Sequence, residues 1–302
     1  IDFILNDSVM KGVITNSGKE FIGDAVILAT GHSARDIFYL LHKHKILIEP
    51  KPFAIGVRIE HPQKLIDEIQ FHSKVRNENL PAASYNLKCE VEKRGVFSFC
   101  MCPGGIIVPS ATAQDEVVVN GMSLSRRDTL FANSGFVVEV TENEWKKYEN
   151  DFPFSGLKLQ QELEQKAFIL AEKSQRAPAQ RVTDFVKGKI SSSLPDSSYI
   201  PGLTSSALHK ELPEFISTRL KTALDIFNKK MRGYYTEEAI LVGVESRTSS
   251  PIRIPRDKET LMHVNVQGLF PCGEGAGYAG GIVSAAIDGE NCAAAVMRYI
   301  QK

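Results

Sequence analysis

Between positions 273 and 281 the chain reads Gly273-Glu274-Gly275-Ala276-Gly277-Tyr278-Ala279-Gly280-Gly281, in which Gly275, Gly277 and Gly280 have the spacing G-x-G-x-x-G. Glycines at this spacing let a backbone approach a ligand closely. A helix that follows them offers free N–H groups and the positive end of its dipole. A dinucleotide fingerprint also needs a second strand with an acidic residue about 20 positions further on. The residues after Gly280 pattern as one helix to the end, so the motif is not the opening βαβ unit of an NAD-binding domain. Two readings stay open from these residues alone: a tight turn that packs a helix on a sheet, and a corner that closes over a cofactor from its far side.

A second unusual stretch is Cys100-Met101-Cys102-Pro103-Gly104-Gly105. It reads either as a strand end with a thiol shaping a substrate pocket or as small buried side chains before a Pro-Gly-Gly turn. A disulfide between residues two apart would be strained. A zinc site calls for C-x₂-C spacing and a second ligand pair, which the sequence lacks, so no metal is expected. Arg58, Arg247, Arg253 and Arg256 could hold a substrate carboxylate or a flavin phosphate, and ion pairs serve equally well as their purpose. Arg58, Cys102 and Arg247 are the weak candidates for catalysis. The seven histidines show no metal spacing, and there is no P-loop or Ser–His–Asp pattern.

The elements that must position these residues are of two textures. Val9–Thr15, a turn at Asn16-Ser17-Gly18-Lys19 and Glu20–Gly23 read as a hairpin. The apolar run Asp24–Gly31 suits a strand buried on both faces, followed by a helix from Ser33 to about Lys43. From Pro50 the pattern changes. Phe53–Glu60 alternates, His61-Pro62 opens a short helix, and Val96–Cys100, Gly105–Val108 and Glu116–Asn120 read as strands. Thr141–Glu144 has capping-box spacing for a helix start. Helices are expected over Leu157–Lys173 and Glu214–Met231, and a strand over Ala239–Val244. Gly268–Gly273 is a strand running into the glycine corner, and Gly280–Ile300 a helix with small residues on one face.

The 302 residues carry 36 Lys+Arg and 36 Asp+Glu, a net charge of zero. That balance disfavours nucleic acid and anionic membranes as partners, and no apolar run reaches the length of a membrane helix. Five cysteines, an odd number, fit a reducing compartment, so a cytoplasmic location is expected.

Several stretches, in order along nearly the whole chain, resemble the bacterial FAD-dependent dehydrogenase family. They are Val26–Gly31 with His32-Ser33-Ala34-Arg35-Asp36, Lys51–Pro62, Ser98–Gly105, Asn120-Gly121-Met122-Ser123, Arg176-Ala177-Pro178-Ala179-Gln180, Gly243–Asp257 and Leu269–Ile282. The resemblance implies an α/β fold with an α+β insertion: a Rossmann-like FAD-binding domain, incomplete here, split into 1–45 and 259–302 around a mixed sheet-plus-helices substrate domain, 46–258. It also implies an N-terminal glycine fingerprint for the ADP half of FAD, and no G-x-G-x-x-G precedes residue 275. The chain is therefore read as part of a longer FAD-dependent oxidoreductase acting on a small molecule, inactive by itself and with its own hold on FAD in doubt. By the family pattern Ala29, Thr30, Gly31, Gly273, Glu274, Gly275, Gly277, Tyr278, Ala279, Gly280, Gly281 and Ile282 would line the cofactor. Glu274 would accept a hydrogen bond from a ribityl hydroxyl. The alternatives are a cofactor-free recognition module and a thiol redox protein using Cys100 and Cys102.

Overall fold

The computed structural model describes residues 1–301. The first stretch forms β1 (Asp2–Asn6), β2 (Val9–Ile14), β3 (Glu20–Ile22), β4 (Val26–Leu28), α1 (Arg35–Lys43) and β5 (Glu49–Pro50). The middle continues with β6 (Phe53–Pro62), α2 (Gln63–Phe71), β7 (Lys88–Val91), β8 (Arg94–Cys102), β9 (Ile106–Pro109), β10 (Val119–Met122) and β11 (Phe131–Val140). After a 3₁₀ segment at Lys146–Asp151 come α3 (Ser155–Leu170), β12 (Ala177–Arg181), α4 (Val182–Lys187), β13 (Leu203–Ser205), α5 (Leu208–Glu211), α6 (Glu214–Lys230) and β14 (Ile240–Glu245). The chain ends with β15 (Ile252–Arg253), β16 (Leu269–Pro271) and α7 (Ile282–Ile300). This is a mixed α/β architecture.

Contacts divide the chain into two compact units. The first comprises Ile1–Phe53, Trp145–Lys158 and Ser249–Lys302, the second Ala54–Glu144 and Leu159–Thr248.

The first unit holds the antiparallel sheet β1-β2-β3 and the parallel pair β4–β16, in register from Leu269↔Val26 to Pro271↔Leu28. Gly18 donates its N–H to the Thr15 carbonyl in the turn of the expected hairpin. The unit's core gathers Phe38 and Leu41 of α1, Met10, Leu269 and Leu157 around Leu28. One expectation fails here. β4 is not buried on both faces: Ile27 is 41% exposed, because within the described residues β4 pairs with β16 alone. Only one arm of the capping box forms at Thr141: the Glu144 carboxylate accepts from the Thr141 N–H at 2.9 Å, but the Thr141 hydroxyl donates to that carboxylate instead of accepting from the Glu144 N–H, which bonds the Thr141 carbonyl, and only the 3₁₀ segment follows.

The second unit is built on a seven-stranded mixed sheet, β13-β12-β14-β6-β11-β8-β7. β6 lies at its centre, and both of its faces, Val57 and Ile59 on one and Arg58 and Glu60 on the other, are buried. α6 packs on β7, β8 and β11 through Ile216, Leu220, Leu224 and Phe227, all fully buried at helical spacing. α7, the longest helix, has no apolar window long enough to cross a membrane, nor has any other described helix.

Candidate functional site

The parallel pair in the first unit ends at one edge. β4 runs out into Ala29-Thr30-Gly31, and β16 into Cys272–Gly277, so two turns leave the carboxyl ends of neighbouring strands side by side. Ligands of open α/β sheets sit outside such strand ends. The turns touch: a methyl group on Gly275 would stand 2.6 Å from the Gly31 carbonyl oxygen. The sequence-predicted stretches 29–31 and 273–282 are thus brought together, with Gly31, Gly273 and Gly277 in the left-handed region at φ +76°, +75° and +86°.

The outer side of this corner is bare. A methyl group added at Gly31, Gly273, Gly280 or Gly281 would meet no heavy atom within 4 Å. Ala29 and Thr30 are exposed, Ile282 is 91% exposed and Val283 72%. α7 opens at Gly281 without a side-chain cap, and the first-turn N–H groups of an α-helix have no intrahelical acceptor. Ser284 Oγ accepts from the Gly280 N–H at 3.2 Å. The corner therefore combines open glycine backbone with exposed apolar side chains at Ile282 and Val283. Glu274 sits at the rim, 3.8 Å from His32 Nε2. Burial pushes its carboxyl up, and the Lys51 ammonium pulls it back. Lys51 and Arg253 back onto Gly277: a methyl group there would lie 3.1 Å from Lys51 Cδ and 3.3 Å from Arg253 Cα.

What holds the corner was not visible as a motif. Asp288, one helix turn and more into α7, accepts from the Gly273 N–H at 2.7 Å. Its carboxylate also pairs with Arg256, whose Nη1 is 3.0 Å from Oδ2. Arg256 Nη1 donates to the Pro271 carbonyl at 2.7 Å, and the guanidinium lies over the Tyr278 ring, 3.9 Å from its centre. The Arg256 N–H reaches Tyr278 Oη at 3.0 Å. Strand end, corner and helix are tied through one ion pair. Arg256, a candidate for ligand binding by sequence, is instead an interior strut, and Arg253 pairs with Glu49 at 2.7 Å on the surface. Burial pushes Asp288 up, but the Arg256 bonds and the Gly273 amide outweigh it and leave the carboxyl below its usual range.

Cys272 Sγ, Cys292 Sγ and the Asp288 carboxylate lie within 4.8 Å of one another. Burial pushes the Cys272 thiol up to about 12 and raises Cys292 as well, so both are neutral thiols at pH 7. Arg256 Nη1, 3.3 Å from Cys292 Sγ, already supplies the positive charge, and a metal ion would have to compete with it.

Residues 52–248, nearly the second unit, match the family described as "FAD-dependent protein, C-terminal domain-like". The chain belongs to this family of FAD-dependent proteins. Over 287 residues, 94% of the chain, it is 43% identical to an uncharacterized protein of Clostridium beijerinckii (strain ATCC 51743 / NCIMB 8052), and covers 53% of that protein. The chain therefore spans about half the length of this curated relative, and the glycine corner falls outside residues 52–248 but inside the stretch matched to the Clostridium protein.

Within the family region the two arginines named from sequence are both interior. Arg58 is fully buried. Its Nε donates to Asn133 Oδ1 at 2.9 Å, its Nη1 to Glu245 Oε1 at 2.7 Å, and its Nη2 to the Cys100 carbonyl. Cys102 Sγ is 3.5 Å from Nη2, whereas Cys100 is exposed and left-handed at φ +44°. The pairing of β8 with β11 slips at that point, Cys102 opposing Asn133 but Phe99 opposing Gly135, which is a bulge. Burial raises the Glu245 carboxyl, and Arg58 counters it. Arg247 is held by two carboxylates, Glu116 at 2.8 Å and Glu164 at 2.9 Å, and by Thr112 Oγ1. Neither guanidinium is presented to solvent.

Proposed function

We propose that this chain is the substrate-binding and cofactor-closing portion of a cytoplasmic FAD-dependent dehydrogenase with a Rossmann-like FAD domain, formed by 1–45 and 259–302 around the insertion 46–258. The observation that carries this reading is the bare glycine corner at the shared edge of two parallel strands, where Gly275 abuts Gly31. FAD, when bound, supplies acceptance of a hydride or an electron pair from a small-molecule substrate. The chain's own part is to present the amides of Gly281–Val283 at the start of α7, where a positive helix end stabilises negative charge. Ala29–Gly31 and Ile282 exclude water from the ring faces. Glu274, a carboxylate at the rim, accepts a hydrogen bond from a hydroxyl of the cofactor's side chain. The Asp288–Arg256 pair is a positioning element for the corner. Arg58, Cys102 and Arg247 stay candidates for the substrate side only if their partners release them.

The test uses Gly281→Val. Gly281 has extended backbone, φ 169°, and open space around it, so the added side chain leaves the fold intact while standing where the ring would lie. In the complete protein, flavin per mole after dialysis is expected to fall about tenfold or more, with unchanged thermal unfolding of the apoprotein. Glu274→Ala is expected to weaken retention less. Gly277→Val is a poorer probe, because its clash with Lys51 and Arg253 disturbs the chain itself. Full flavin content in both Gly281→Val and Glu274→Ala would refute the assignment. A colourless complete protein that takes up no added FAD would favour the cofactor-free recognition module.

A further inference from the structure

The second unit contains a cleft of about 610 Å³ where three segments end together: the last turn of α2 with His72, the last turn of α6 with Lys229 and Lys230 and then Arg232, and the approach to β7 at Tyr85 and Asn86. The cleft is lined by no carboxylate. Lys229, Lys230 and Arg232 are exposed, and among the described residues none of them forms an ion pair, although Lys230 Nζ donates to the Lys88 carbonyl. Two acids on or beside the packed elements are already paired, Asp67 of α2 with Arg76 at 3.0 Å and Glu92, just after β7, with Arg219 of α6 at 3.2 Å; Glu68 of α2, Glu90 of β7 and Asp225 of α6 do not line the cleft. In a chain with equal numbers of acids and bases, three unpaired cations in one concavity are a local segregation of charge.

A structural purpose accounts for part of this. Two helix C-termini point here, each equivalent to about half a negative charge, and cations near them are favourable. Together they offset about one of three positive charges, so the cleft stays positive. A concave site of this size suits a small organic ligand rather than a flat protein face, and it is far larger than one phosphate. Tyr85 closes the inner wall of the cleft: it is buried, its hydroxyl is engaged by Ser134 Oγ at 3.0 Å and its ring packs edge-on against Tyr234, so the exposed Asn86 beside it is the polar group offered to the body of such a ligand.

We propose that this cleft binds a phosphate-bearing small molecule of nucleotide size, its phosphates on Lys229, Lys230 and Arg232. The inference does not rest on the flavin reading. Calorimetric titration of the purified protein at low ionic strength with inorganic pyrophosphate, ADP and an oligoglutamate peptide tests it. Saturable binding of pyrophosphate or ADP is expected, weakened about tenfold or more by Lys229→Glu combined with Arg232→Glu. The paired control Lys187→Glu with Lys258→Glu, the same change of net charge on exposed lysines elsewhere, should leave affinity within about twofold. ADP binding tighter than pyrophosphate assigns the ligand as a nucleotide, and equal binding assigns recognition to the phosphates alone, as for other phosphorylated metabolites. No saturation by either probe up to about 10 mM, equal loss in the control, or tighter binding of oligoglutamate would overturn the proposal, the last by making the cleft a docking patch for an acidic protein. Circular dichroism and thermal melts of both double variants keep a folding failure from being mistaken for either result.

Discussion

α6 and α7 have similar lengths, 17 and 19 residues, and opposite fates. The apolar stripe of α6 disappears into the sheet: Ile216, Leu220, Leu224 and Phe227 are inaccessible. α7 is the more apolar helix in sequence, yet Ile282, Val283, Ile287 and Met297 are between 52% and 91% exposed. Only its face through Asp288, Cys292 and Ala295 is covered. A helix is buried by what the fold sets against it, not by its own hydrophobicity. In the second unit the chain supplies that cover. In the first, the opening turn of α7 beside the glycine corner is left uncovered by the described residues, and under the proposed function that turn would face the flavin.

The comparison breaks most visibly if α6 tolerates truncation. Phe227 lies between Phe136 and Tyr234, with ring centres 5.6 and 5.9 Å away. Phe227→Ala should cost about 3–5 kcal/mol in urea unfolding. A loss below about 1 kcal/mol would mean that this core collapses easily.

The closed side of the comparison also predicts a pH response. His61 lies against Tyr234 beneath α6, and its Nε2 donates to the Tyr234 carbonyl at 2.8 Å. Its Nδ1 is buried with no partner. Burial lowers this imidazole from 6.5 to about 4, against a smaller rise from the Tyr234 bond. Unfolded chains then bind a proton that the folded chain refuses, so stability falls as pH drops from 6.5 towards 4, by about 3 kcal/mol at most. His61→Gln should be less stable at pH 7 but lose less between pH 7 and 4.5. Parallel pH profiles of the two proteins would place the acid sensitivity elsewhere.

The covered face of α7 is the next test. Asp288→Asn keeps the size but removes the charge that holds Arg256 and receives the Gly273 N–H. A loss of about 2 kcal/mol is expected. Because the Asp288 carboxyl is depressed in the folded protein, its contribution is present above the unfolded carboxylate range near pH 4 and disappears as pH falls further. The difference between Asp288→Asn and the parent should therefore shrink in acid. A difference constant down to pH 2 would show that the ion pair is not what stabilises the corner.

The same contrast separates what is local in the sequence from what is long-range. The periodicity of α6, the alternation of β6 and the strand–turn–helix at 269–300 were all legible, since each is a local pattern. β11 was not: Asn133-Ser134-Gly135 interrupts its apolar run, and those polar residues are tolerated because Asn133 meets Arg58 and Ser134 meets Tyr85. β12 hides behind Pro178, which the sheet accommodates between β13 and β14. At the corner the glycines could be named from spacing, but the contact of Gly275 with Gly31 joins residues far apart in sequence. Asp288 left one local trace. It shares a face with Ala285, Cys292 and Ala295 in an apolar helix, and a carboxylate on such a face calls for a buried partner. The partner, Arg256, could not be named from the helix alone.

The smallest effect belongs to the exposed face of α7. Ile282 contributes almost no burial to the fold, so Ile282→Ser should change unfolding free energy by no more than about 0.5 kcal/mol, in contrast to Phe227→Ala. If the first turn of α7 covers a flavin, the same variant should nevertheless retain less cofactor in the complete protein, because an apolar wall of the ring site has been made polar. Stability and cofactor retention then separate at residue 282 and stay coupled at residue 288, where Asp288→Asn disturbs both. A variant at 282 that lowers stability by more than about 1 kcal/mol would show that α7 is already covered by this chain, and the contrast between the two helices would be lost.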